Sequence, residues 1–298
     1  FMFWLTKKEP QKTSFISQFI NYSVPSLLIF VTYFTFYLEI SSIFDRHAEN
    51  TKINTTPNAK TPSYVYNYSL GYIKNVWLHI YTLIYATILV VINLYKAKNN
   101  TLAVVNIIIN CLALLIFLTG GLLMLSEIRD AYLYQSENYF RMGAGSLLLR
   151  YIAYAVLGIF LYYNFLLCKS SLFGKKLSTA FYYVLYITIL WLLSSELLHI
   201  LALSGLKSGY KLGLSILWGS YSLILIAIGI WKNKKYIRIG AIGLFGITLL
   251  KLFLYDITQL NTIAKTIAFV ALGVLLLIIS FLYNKYKHLI IDDVKTEN

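Results

Sequence analysis

The sequence predicts an all-α integral membrane protein with about eight transmembrane helices, arranged as four tandem helical hairpins. Composition is the first reason, because 58% of the 298 residues are hydrophobic, only 13% are charged and the mean hydropathy is +0.67. A soluble domain carries about a quarter charged residues. Spacing is the second reason, because apolar runs of about 20 residues, long enough to cross a bilayer, recur along the chain.

Eight apolar runs define the predicted spans. They cover residues 16–39, 76–95, 102–126, 146–167, 178–203, 213–231, 237–256 and 264–284. Tyr and Trp are abundant near their ends, as is typical of side chains at a membrane surface. Pro25 lies within the first run, which predicts either a kink or a late start of that helix.

The distribution of positive charge predicts the orientation of these spans. Fifteen of the 26 Lys and Arg residues fall on the side that carries both termini, together with only four of the 12 acidic residues. The positive-inside rule then places both termini in the cytoplasm. The formal charge of +14 reflects this bias, so we expect membrane lipids as partners and no nucleic acid.

One long connection separates the first two spans. Residues 41–74 are polar, contain two prolines and show no clear period, which predicts an extracytoplasmic loop in a single transmembrane domain of residues 1–298. Loops of this length are usually functional or disordered. We interpret this loop as a surface cap packed by Tyr64, Tyr66 and Tyr68. It is also where a protein partner, or a larger membrane complex, would dock.

Ionisable residues gather at one predicted level, near the outer ends of the spans. Glu196 and His199 are three residues apart and so share a helix face, and Lys251 precedes Asp256 by about 7–8 Å along its helix. Ionisable groups at this depth pair with one another or line a wet cavity. The candidate binding residues are Glu196, His199, Arg150, Lys251, Asp256 and Glu127.

Two interpretations of this polar level stay open. In the functional one, the level is a cavity that opens to the outside and holds a polar head group or relays protons, mainly through Lys251 and Glu196. In the structural one, the same groups are interfacial side chains and salt bridges that hold the hairpins in register.

Glycine spacing predicts helix packing in the seventh span. Gly240, Gly243 and Gly246 recur every third residue, so one helix face lacks side chains and a neighbouring helix can approach closely. The adjacent Gly120 and Gly121 in the third span fit either close packing or a looser helix.

Motifs for common chemistries are absent from the sequence. It contains no HExxH, no GxSxG and no P-loop. Its four histidines are scattered and its two cysteines have no paired histidine, so no metal and no cofactor is predicted.

A further pattern runs through the last hairpins. It comprises Ser195-Glu196-Leu197-Leu198, Ser215-Ile216-Leu217-Trp218, Gly229, Arg238, residues 250–256, Leu260, Gly273 and Tyr283. By this pattern residues 212–287 resemble a large family of bacterial multi-pass membrane proteins catalogued as domain of unknown function 2339. Lys265 is a departure, because members usually carry arginine there. The resemblance implies an inner-membrane protein and no established activity. Members are often longer, so we expect a segment before Phe1.

Three functions remain compatible with the sequence. The first is a transporter-like or lipid- or glycan-handling envelope protein that uses Glu196, Lys251 and Asp256. The second is a non-catalytic membrane scaffold, or a subunit of an envelope complex, that docks a partner on the outer loop. The third is a membrane enzyme that modifies an envelope lipid or glycan, with Glu196 or His199 as general base. The absent motifs favour a role without catalysis.

Overall fold

The protein separates into two compact units, Phe1–Gly174 and Lys175–Asn298. A computed structural model describes residues 15–56, 61, 63–135, 140–170, 175–206, 210–252 and 254, together with helical residues at intervals between 262 and 281. The prediction of one transmembrane domain over residues 1–298 stays a prediction.

Unit 1 is built around its second helix. Its helices are α1 (Phe15–Asn50), α2 (Ser69–Ile92), α3 (Asn100–Ile116), α4 (Leu122–Tyr134) and α5 (Leu148–Lys169). Helix α2 packs against α1, α3, α4 and α5. A π-helical turn at Asn93–Ala97 extends α2, and a 3-10 turn at Ala144–Leu147 precedes α5.

A second π-helical turn, Phe117–Gly121, joins α3 to α4, so that Asn100–Tyr134 forms one long span. Gly120 in this turn faces His79 of α2: a Cβ at Gly120 would lie 3.3 Å from His79 Nε2. A larger residue would push the imidazole away. One of the two adjacent glycines therefore serves a close contact between helices.

Unit 2 contains α6 (Lys175–Leu203), α7 (Tyr210–Trp231) and α8 (Lys235–Lys251). Helix α7 packs against both other helices, and its contact with α8 is more extensive than its contact with α6. The α7–α8 contact buries an apolar cluster of Tyr221, Leu225, Ile226, Ile237 and Ala241. Among the described residues of unit 2, the most extensive packing thus joins the third predicted hairpin to the fourth.

Six helical segments among the described residues are long and apolar enough to cross a membrane, which confirms an all-α membrane protein. They are Ser23–Asn50, Ser69–Ala97, Asn100–Tyr134, Ala144–Lys169, Leu177–Leu203 and Tyr210–Trp231. Helix α1 begins well before Pro25, so the proline does not delay its start. The predicted spans 237–256 and 264–284 are described only in part. The total of eight spans therefore stays a prediction.

The first connection is shorter than the predicted loop of residues 41–74. Helix α1 continues through residues 41–50 and α2 begins at Ser69, because a helix that leaves the membrane keeps its backbone hydrogen bonds without apolar side chains. Side chains also support the extension: the Ser41 hydroxyl donates to Asp45 at 3.1 Å. The connection itself is limited to residues 51–68.

This connection contains an antiparallel pair of short strands, β1 (Ile53–Asn54) and β2 (Tyr64–Val65). Lys52 Nζ lies 4.2 Å from the centroid of the Tyr64 ring and 5.7 Å from that of Tyr66. Tyr68 is 65% exposed. Two of the three tyrosines predicted to pack the cap therefore contact a lysine side chain within it.

Two asparagines fix the connection between α2 and α3. The buried Asn93 side chain accepts a hydrogen bond from the Asn99 N–H at 3.0 Å and donates to the Asn99 carbonyl at 3.2 Å. Asn99 in turn caps α3 by accepting from the backbone N–H groups of Thr101 and Leu102. Lys98 between them has a φ of 46°, and its N–H donates to the Asn93 carbonyl at 2.8 Å.

Buried amide side chains join three helices of unit 1. Asn110 Nδ2 of α3 donates to Asn164 Oδ1 of α5 at 2.6 Å, and Asn164 Nδ2 donates to the Phe160 carbonyl at 2.8 Å. One turn before Asn110, Asn106 donates to the Leu89 carbonyl of α2 at 3.3 Å. Polar side chains in hydrocarbon link helices in this way, each bond contributing about 0.6 kcal/mol on average.

We predict that Asn110→Leu lowers the free energy of unfolding by about 1–2 kcal/mol, because it leaves the buried Asn164 oxygen without this donor. Reversible unfolding of the detergent-solubilised protein measures the change. Asn110→Leu/Asn164→Leu should recover part of the loss, and the exposed Thr119→Val is a control, since Thr119 bonds only carbonyls of its own helix. A double-mutant cycle without coupling would contradict the importance of this bond.

Candidate functional site

Lys251 ends α8 and reaches across to α7. Its Nζ donates to the Ser215 hydroxyl at 2.7 Å and to the Lys211 carbonyl at 3.4 Å. Ser215 is buried and Lys251 is half-buried. An ammonium between apolar helices needs such acceptors, because charge at membrane depth is costly. The contact places this charge within the packed part of unit 2.

Glu196 and His199 lie on α6, one helical turn apart, as their spacing predicts. His199 is 2% exposed, Ser195 is buried and Glu196 is half-buried. A buried imidazole and a partly accessible carboxylate on one helix face provide hydrogen-bonding groups of both kinds, since histidine can donate and accept and a carboxylate accepts.

Two contacts set the register between α6 and α7. The Trp218 indole N–H donates to the Ser194 hydroxyl at 2.9 Å, and the Leu197 side chain packs against Gly213. Glu196 lies between the two contact residues of α6. Ser215, whose hydroxyl accepts from Lys251, lies between the two contact residues of α7. The carboxylate and the ammonium therefore lie at similar depth in unit 2.

Arg150 lies in unit 1, on α5, and is 1% exposed. Its Nη1 donates to the Tyr154 hydroxyl at 3.2 Å, and its Cζ lies 5.7 Å from the centroid of the Tyr154 ring. Tyr154 thus provides a hydrogen-bond acceptor for the guanidinium, and its ring lies near the distance limit for a cation–π interaction. The membrane depth of Arg150 stays a prediction.

The remaining candidates have different surroundings. Glu127 is half-buried on α4, and Asp256 lies outside the described residues. Helix α4 also carries an ion pair that the sequence analysis did not predict. The buried Arg129 donates from Nε and Nη2 to both carboxylate oxygens of Asp130, at 2.8 and 3.0 Å. The adjacent Arg and Asp at the end of an apolar run were the signal for it.

The predicted glycine stripe faces away from described neighbours. Within the described part of the chain, no atom lies within 4 Å of a Cβ built on Gly240, Gly243 or Gly246. The side of α8 that packs against α7 instead carries Ile237 and Ala241. Close packing along the stripe stays a prediction.

The close approach of α7 and α8 occurs at Gly229. A Cβ there would lie 2.6 Å from Arg238 Cγ and 3.1 Å from Arg238 N. The Gly229 carbonyl accepts from the Lys234 N–H at 2.9 Å and from Arg238 Nη1 at 3.4 Å. Asn233, with a φ of 47°, completes the turn and accepts from Arg238 through Oδ1. Glycine is required here because the two helices leave no room for a side chain.

Gly229 and Arg238 are two residues of the pattern that relates the last hairpins to a known family. The family model described as "Predicted membrane protein (DUF2339)" matches residues 1–286. The chain belongs to this family. The match includes unit 1, well beyond the C-terminal third in which the sequence pattern is clearest. The chain matches no curated protein and no solved structure.

We predict that Gly229→Ala destabilises the protein by about 1–3 kcal/mol, because the added methyl group overlaps Arg238. Gly240→Ala, on α8, is the matched control and should leave stability unchanged or raise it by up to about 1 kcal/mol, as alanine favours helix. Thermal unfolding in detergent compares the two variants. Equal destabilisation by Gly240→Ala would contradict this contrast and support close packing along the glycine stripe.

Proposed function

We propose that this membrane protein is transporter-like, or handles a lipid or glycan of the bacterial envelope, and that unit 2 binds the polar head group through Lys251. Glu196 and His199 contribute the acidic and imidazole groups at the same level. The protein lies in the inner membrane with both termini in the cytoplasm, as the excess of cations on that side favours.

The bond from Lys251 to Ser215 carries this proposal. It holds a cation at 2.7 Å from a buried hydroxyl, between two helices that also bury an apolar cluster. Ionisable residues inside a membrane are rare and usually mark a pathway or a ligand. Lysine presents a compact charge with three donors, which suits a phosphate or another anionic group.

Glu196 adds the opposite charge at a similar depth. A head group that carries both an anion and hydroxyl or amine groups would find a partner for each on the α6 and α8 sides of α7. The same predicted level includes Asp256, and in unit 1 Arg150 and Glu127. We include these three as candidates on the basis of their predicted depth.

A second function, a non-catalytic scaffold or a subunit of an envelope complex, is favoured by the fold of the first connection. Residues 51–68 contain a hydrogen-bonded hairpin rather than an irregular tail. A shallow groove lined in part by Asp45, Glu49, Tyr66 and Tyr68 lies beside it. Acidic and tyrosine side chains together suit a partner with exposed lysine or arginine.

We predict that Lys251→Gln weakens head-group binding without unfolding the protein, because glutamine can still donate to Ser215 while the charge is lost. Mass spectrometry of lipids and glycolipids that co-purify with the protein should show at least about a tenfold loss of one anionic species, the equivalent of one charge-assisted hydrogen bond.

Lys74→Gln is the matched control for this experiment. Lys74 is also a cation at the predicted outer end of a span, but it binds the exposed Asp45 at 2.6 Å. A density map of the wild-type protein in lipid should show a head group next to Lys251. If both variants retain the same lipids and the map shows only protein around Lys251, the head-group site is wrong and the scaffold function is favoured.

A further inference from the structure

The turn between α7 and α8 carries a dense group of cations. We name Trp231, Lys232, Lys234 and Lys235 the basic turn. Lys232 and Lys234 are exposed and Trp231 is 85% exposed. In the sequence no acidic residue occurs from residue 197 to residue 255, so neither helix of this hairpin supplies a carboxylate to neutralise the turn.

The backbone of the basic turn is held in one conformation. The Gly229 carbonyl accepts from the Lys234 N–H at 2.9 Å, and Asn233 adopts the left-handed conformation that reverses the chain. Arg238 packs over Gly229 and is 2% exposed. A fixed turn presents its lysines at fixed positions, which reduces the entropy lost when they bind a ligand.

The basic turn lies at the end of an apolar span. Helix α7 is a candidate membrane span that ends at Trp231, and the exposed indole there is typical of the head-group level of a membrane. Phosphate groups of phospholipids lie at the same level. The position of these side chains directly at the end of a membrane span favours a lipid over a soluble nucleic acid or protein.

We propose that the basic turn is a binding site for the phosphate of anionic phospholipids. Lys232 and Lys234 provide the charge, and Trp231 contacts the acyl–head-group boundary. Lysine clusters directly next to a membrane span bind anionic lipids in this way. The site is separate from the proposed head-group site at Lys251, which lies at the other end of α8.

The test uses the full chain in nanodiscs of phosphatidylcholine with a minor fraction of phosphatidylglycerol. Native mass spectrometry counts the phosphatidylglycerol that stays bound after release. The variant is Lys232→Gln/Lys234→Gln. The matched control is Lys96→Gln/Lys98→Gln, which removes two exposed lysines with the same spacing from the α2–α3 connection, where no further cation lies nearby in the sequence.

We expect the Lys232/Lys234 variant to lose bound phosphatidylglycerol at least about tenfold, and the control to change little. Brominated phosphatidylglycerol should quench tryptophan fluorescence of the wild type more strongly than brominated phosphatidylcholine. This difference should vanish in Trp231→Phe and persist in Lys251→Gln, which separates the basic turn from the site in unit 2.

Equal losses in the two lysine variants, or equal quenching by the two brominated lipids, would overturn the proposal. Thermal unfolding verifies that each variant is folded. The exposed side chains of Lys232 and Lys234 can be replaced without disturbing the Gly229–Arg238 contact, so a loss of lipid in a folded variant supports the site.

Discussion

A polar group in hydrocarbon must find its partner within the protein, and the architecture of this chain depends on that constraint. Backbone groups meet it by forming helices. Side-chain amides meet it between helices, as Asn110 does with Asn164. Charged groups meet it with hydroxyls, carbonyls and aromatic rings, as Lys251 does with Ser215 and Arg150 with Tyr154. Polar pairs therefore add specific links between neighbouring helices, alongside apolar clusters such as the one that α7 and α8 bury.

Hydropathy is sufficient to predict the fold class, because a run of about 20 apolar residues has few other stable conformations in a bilayer. It is a poor guide to where helices end. Helix α1 passes through the polar residues 41–50 because side chains such as Ser41 and Asp45 support it from within. The π-helical turns are equally invisible to hydropathy, since they change the hydrogen-bond pattern and leave the composition unchanged.

The sequence pointed to the candidate residues because they carry charge. Lys251, His199 and Arg150 stand out in apolar runs, and all three are at least half-buried. Their partners were not predictable, because a serine or a backbone carbonyl becomes a ligand only through packing. Asn106 and Asn110 were overlooked for a related reason: amides are uncharged, although their spacing of one helical turn within an apolar run placed them on a shared face.

The π-helical turn at Phe117–Gly121 affects the direction in which the side chains of α4 point. A π-helical turn holds one residue more than the α-helical turn it replaces, and one residue corresponds to about 100° of rotation. The turn therefore changes the phase of α4 relative to α3, so residues at α-helical spacing across the turn do not share one helix face. Gly120, which lies close to His79 of α2, is part of this turn. An amphipathic pattern read without a break across Asn100–Tyr134 would therefore assign the residues of α4 to the wrong face.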